Sequence, residues 1–146
     1  MSNGSPQTIT PLTAADEERL HRQRAVVEKY LGDETSRENY QKAAGKLGLI
    51  RALLANNVFQ PNQTHELQCL GVILGDAFVQ ELKMEWVIVD DEYGRSPAVR
   101  VPGTTILLSP ITMISKRAER GEKVDVFDIF NWAAEKIDEM QKQGYR

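Results

Sequence analysis

The side chains able to bind or react in this chain form two clusters of opposite charge. Asp90-Asp91-Glu92 runs into Tyr93-Gly94-Arg95, and Ser115-Lys116-Arg117 follows further on. Neighbouring carboxylates can grip a hard cation, but this run lacks the alternating oxygen ligands of a calcium loop, and an acidic hairpin turn is the expected reading. Lys116 and Arg117 can hold a carboxylate or phosphate, arginine through its bidentate fork. They can also pair internally with Asp90, Asp91 or Glu85, or form a solvated face near a helix C-terminus.

Other chemistries find less support. His21 and His65 lie far apart, outside any ligand-spaced motif. Cys69 is the only cysteine; it sits in an apolar helix with no histidine close in sequence, so a buried structural thiol is expected. Ser109 and Ser115 lack the G-x-S-x-G context of an activated serine. Gly71 and Gly75 fall inside a helix, not in a loop after a strand, so they are not a phosphate cradle. No catalytic residue, metal site or cofactor is assigned.

The elements that must position these groups follow from hydrophobic rhythm. Residues 1–12 are polar, carry Pro6 and Pro11, and are expected to form a disordered tail. Thr13 with Asp16 and Glu17 predicts a helix start, and Gly32 its end, with Leu20, Val27, Tyr30 and Leu31 on one stripe. A second helix is expected from about 33–36 to 57, burying Tyr40, Ala43, Ala44, Leu47, Ile50 and Leu54. Gly45 and Gly48 weaken it unless a neighbour packs closely there. A third helix, about 63–82, is apolar nearly all round and therefore central. Its Gly71 and Gly75 predict close approach by another backbone.

The rhythm changes at Met84. Met84, Trp86 and Ile88 alternate with Glu85, Val87 and Val89, as in a strand. A turn at 91–94 and short strands at 98–101 and 104–108 complete a three-stranded antiparallel meander. Ser109-Pro110 opens a helix that ends at Gly121. A last helix, about 125–143, turns Val126, Ile129, Phe130, Ala133, Ile137 and Met140 inward. Trp132 lies off that stripe, either capping the core edge or standing exposed as an anchor for a partner. The expected fold is α+β: three antiparallel strands with about five helices packed mainly on one face, as one domain over 13–146.

Bulk properties bound the function. The chain has 146 residues, enough for one core without disulfide or metal. A net charge of −3 and a pI near 5.5 give no electrostatic footprint for nucleic acid or an acidic membrane. The N-terminal residues show no secretory pattern, and the longest apolar stretch is broken by Gln68, Asp76, Gln80 and Glu81. A cytoplasmic location is expected.

Several short pieces, in order, carry a family resemblance: Leu70-Gly71, Leu74-Gly75-Asp76, Glu85-Trp86-Val87, Asp91 to Arg95, and Pro110 to Ile114 with Lys116 and Arg117. Together they resemble a bacterial family known only as domain of unknown function 3806, over a core of about 66–122. The resemblance implies no activity, cofactor or catalytic residue. It supports treating helix, meander and helix as one unit, and it draws attention to Asp91, Gly94, Arg95, Lys116 and Arg117.

The surface these readings nominate comprises Asp90, Asp91, Tyr93, Arg95, Arg100, Lys116 and Arg117, and Trp132 is a separate candidate contact. The expected function is a non-enzymatic protein-interaction domain, an immunity protein or adaptor, with another protein as partner and no nucleic acid or membrane. The alternative is an enzyme or small-ligand sensor in which these charges converge on a polar pocket. Self-association through a sheet edge or Trp132 is a third possibility.

Overall fold

The computed structural model, described for residues 7–144, begins its regular structure earlier than the sequence suggests. Residues 1–6 of the expected tail lie outside the described residues, but Thr8–Thr10 form a strand, β1. It pairs antiparallel with β2 (Glu85–Asp91), Ile9 opposite Val89. β2 pairs with β3 (Gly94–Arg100), and β3 with the short β4 (Leu107–Leu108). The sheet therefore has four strands in the order β1-β2-β3-β4, a meander with one strand more than expected.

The hairpin follows from its residues. Glu92 and Tyr93 make a two-residue turn between Asp91 and Gly94, the Tyr93 N–H donates to the Asp91 carboxylate at 2.9 Å, and Gly94 takes φ +113. β3 starts well before the expected residue 98, and Pro97 sits inside it opposite Ile88. The missing N–H is tolerated because β4 pairs only with Val99 and Arg100, so β3 is an edge at Pro97. The expected strand 104–108 shrinks because Thr104 turns the chain: its hydroxyl donates to the Val101 carbonyl and accepts from the Ile106 N–H.

Among the described residues, six α-helices and one 3-10 turn accompany the sheet: α1 (Ala14–Glu28), α2 (Glu34–Tyr40), α3 (Ala43–Ala55), α4 (Thr64–Leu82), the 3-10 turn Pro110–Thr112, α5 (Met113–Glu119) and α6 (Val126–Lys142). Thr13 caps α1 in a reciprocal capping box with Asp16. The second expected helix is two. Lys42 is extended between α2 and α3, and a Cβ on Gly45 would lie 1.8 Å from the Asn39 carbonyl oxygen, so only glycine admits this corner. The buried Lys46 ammonium donates to the Tyr40 carbonyl at 2.7 Å, satisfying the end of α2.

α4 is central, with Leu70, Val72, Ile73, Leu74, Ala77 and Phe78 fully buried. Met84, Trp86, Val99 and Leu108 bring one sheet face into the helical core, while Val87, Val89 and Ala98 cluster with Ile9 and Leu107 on the other. α6 buries the expected stripe and stacks Phe130 on Phe78, ring centroids 5.5 Å apart. Both glycines of α4 are contact points. A Cβ on Gly71 would lie 2.4 Å from the Ile111 carbonyl oxygen, and one on Gly75 would lie 2.4 Å from the Trp86 ring. The expected close approach is therefore by backbone at Gly71 and by an indole at Gly75.

Gly71→Ala is expected to destabilise the fold by about 1–3 kcal/mol, since the Ile111 backbone has no room to retreat. Gly48→Ala, which meets nothing within 4 Å, should stabilise α3 by up to about 1 kcal/mol. Urea denaturation midpoints at unchanged slope distinguish the two.

Candidate functional site

The nominated residues divide into two groups. The first lies on the hairpin, where the guanidinium groups are already engaged. Arg95 crosses to the start of α1 and donates both Nη atoms to the Asp16 carboxylate at 2.6 Å each. Asp16 is 1% exposed and also accepts from the Thr13 backbone N–H at 2.8 Å. The Arg95 fork first, then the Thr13 N–H, holds the Asp16 carboxyl well below the usual carboxylate range, against the opposing effect of desolvation. Arg100 donates to Glu85 across the β2–β3 pair at 2.8 Å. Asp91 is occupied by the turn, Asp90 is exposed opposite Arg95, and Tyr93 stands 90% exposed at the tip.

The second group lies on α5 and α6. Ser115 is buried, and its hydroxyl donates to the Thr112 carbonyl. Ser109 makes no side-chain cap at the 3-10 turn that precedes α5. Lys116 is exposed. Arg117 donates to the Met113 carbonyl at 2.8 Å and lines a hollow of about 260 Å³ with Glu122, Lys123, Asp125, Asp128, Ile129 and Trp132. Trp132 is 49% exposed, so it stands out from the core edge rather than closing it. None of the hairpin residues reaches this hollow. The basic cluster makes no ion pair with Asp90, Asp91 or Glu85 among the described residues.

A third constellation has no counterpart in the sequence reading. Arg24 of α1 donates Nε and Nη2 to the two Asp76 oxygens at 2.7 and 2.8 Å, and the Trp86 indole N–H donates to Asp76 at 2.9 Å. Beside it the Tyr40 hydroxyl is buried without a hydrogen-bond partner among the described residues. Burial, reinforced by the nearby Glu28 and Asp76 charges, pushes the Tyr40 pKa up. Burial also pushes the Lys46 ammonium down. Asp76 was visible as the polar break in an apolar helix. Its partners lie on other elements, Arg24 on α1 and Trp86 on β2, and carried no periodic signal that ties them to it.

Cys69 is buried, and burial first, with Glu66 second, pushes its thiol up to about 11. His65 stands one helical turn away, Nε2 3.7 Å from the sulfur. The expectation of no neighbouring histidine overlooked this four-residue spacing. A thiol with so high a pKa is a poor nucleophile all the same. Among the described residues, no group of three or more His, Cys, Asp or Glu side chains is placed to hold a metal, and no helix is long and apolar enough to cross a membrane.

A family model described as a domain of unknown function, DUF3806, matches residues 46–130. The chain belongs to the DUF3806 family. The matched segment reaches beyond the expected core at both ends, taking in most of α3 and the first turn of α6. Arg24 and Asp16 lie outside it, and Asp76, Trp86 and Arg95 within it. A crystal structure of a protein from Bacteroides thetaiotaomicron VPI-5482 shares the fold, with a TM-score of 0.71 at 15% identity over 90% of this chain and 48% of that one. The chain thus spans about half the length of that structure. No curated protein matches the chain.

Replacing Asp76 by alanine should cost about 3 kcal/mol, since it strands the Arg24 charge and the Trp86 N–H together. Thermal unfolding followed by tryptophan fluorescence is the check. Asp16 predicts a pH dependence. Its folded pKa is depressed, so its contribution is complete above an ordinary carboxylate pKa near 4 and is lost as pH falls further. Asp16→Asn should flatten that acid limb while leaving the neutral and alkaline slope unchanged. Denaturation midpoints measured from pH 2 to pH 7 would show it.

Proposed function

We propose that this DUF3806 domain is a non-enzymatic cytoplasmic interaction protein that docks a protein partner through the α5–α6 face centred on Trp132. The carrying observation is a tryptophan, half exposed, at the rim of a hollow floored by Ile129. A large aromatic anchor beside a pocket with a mixed polar rim is the usual makeup of a binding hot spot. Here Arg117, Lys123, Asp125 and Asp128 supply that rim. An immunity or adaptor role fits the small size and mild acidity. The alternative, an enzyme or sensor built on Asp90, Asp91, Arg95 and Lys116-Arg117, draws less support because Arg95 and Asp91 already serve the fold.

The test is affinity purification from the native host with wild-type and Trp132→Ala chains in parallel. The wild type should retain a defined protein in fixed ratio. The variant, with an unchanged circular-dichroism melt, should bind it at least about thirtyfold more weakly, the cost of a lost hot spot of about 2 kcal/mol. Equal capture by both chains would reject this surface. A mass that rises with concentration in light scattering, and does so only with Trp132 present, would transfer the surface to self-association.

A further inference from the structure

A larger cavity opens beside that face, between α3, the 57–63 loop, the start of α4 and the 121–125 loop. Its volume is about 520 Å³, within the roughly 300–1,000 Å³ usual for small-molecule sites. Leu54, Ala55, Phe59, Leu67, Ala118 and Val124 make it largely apolar. Four charged residues also line it, and they are not equivalent. The two acids are occupied: Glu122 accepts from Arg120 at 2.5 Å, and Asp125 caps α6, accepting from the Phe127 and Asp128 N–H groups. The two cations are not. Among the described residues, neither Arg51 nor Lys123 has a carboxylate partner.

Arg51 has a contact of another kind. Its guanidinium lies over the Phe127 ring, 5.3 Å from the centroid. A cation–π contact of this kind takes up no hydrogen-bond donor, and among the described residues the Arg51 N–H groups remain available to a bidentate acceptor. An apolar lining with an arginine and a lysine beside it matches an amphiphile: a hydrocarbon body with an anionic head. Every lining residue falls within the segment matched by the family model, so the cavity belongs to the unit that defines the family.

We propose that this cavity binds a small monocarboxylate with an aliphatic chain, the chain lying on Leu54, Phe59, Leu67 and Val124 and the carboxylate held between Arg51 and Lys123. The site goes beyond partner docking at Trp132 and stands whether or not that docking occurs.

The test uses the purified full chain, isotope-labelled, titrated with decanoate below its micelle threshold and separately with decanol. Decanoate should give saturable shifts at the amides of Leu54, Phe59, Ala118 and Val124. Decanol, which lacks the charge, should bind at least about tenfold more weakly. The double variant Arg51→Gln, Lys123→Gln alters two exposed side chains and should keep the melting temperature. It should bring decanoate down to the level of decanol and leave decanol unchanged. Three results overturn the site: no saturable shift at these amides, equal affinity for acid and alcohol, or undiminished decanoate binding by the double variant.

Discussion

Asp76 accepts three hydrogen bonds from two other elements, and the docking of α1 and of β2 onto α4 meets at that carboxylate. A carboxylate in the middle of a central helix is costly unless its oxygens are satisfied. Here a guanidinium fork and an indole N–H satisfy them, and both partners are partly buried with it. Gly75 makes this possible. Without a side chain at 75, the Trp86 ring lies flush on α4, and the N–H then reaches the next residue, Asp76. Any side chain at 75 would push the ring away and strand the carboxylate, so the glycine and the acid act as one seat for the indole.

The same logic explains how α1 holds on with so little grease. Its inward face is Asp16, Leu20, Arg24 and Val27, two apolar residues and two charges at helical spacing. The charges point opposite ways. Asp16 takes a guanidinium from β3, and Arg24 gives one to a carboxylate of α4. Such pairs contribute modest net stability but strict register, because a helix displaced by one turn would face two unpaired charges. β1, just before α1, is placed by the same anchoring and adds the fourth strand. Thus the polar pairs specify where α1 sits, while apolar burial in α3, α4 and α6 supplies most of the stability.

Parts of this arrangement were legible in the sequence. The alternation from Met84 onward marked β2, Asp91 to Gly94 marked the turn, and the α6 stripe was complete, because each signal is local and periodic. The break after Tyr40 was not legible, since the apolar rhythm runs through it and the deciding contact is between Gly45 and a carbonyl one helix away. β1 was missed for a related reason: three residues have no periodicity, and their partner lies at the far side of the chain. The charges of the nominated surface were named singly, without the pairs that Arg95 and Arg100 form. Arg95 was read beside its neighbours Asp90 and Asp91, whereas its partner is Asp16, and a fork across such a separation leaves no trace in local spacing.

Sorting the charges by partner is therefore what separates architecture from candidate function. Arg24, Arg95 and Arg100 each spend their fork on a carboxylate of the same fold, and so they position elements rather than meet a ligand. Arg51 differs: among the described residues it meets the Phe127 ring but no acid, and it lines an apolar cavity. Trp132 differs from the other indole and the stacked phenylalanines, since Phe78, Phe130 and Trp86 are packed into the core while half of its surface stays in water. Leaving a cation without an acid, or a large indole in water, gives the folded chain little in return. Arg51 and Trp132 both lie on the α3–α5–α6 side, away from the hairpin, so that side is where an occupant would add the most to the molecule.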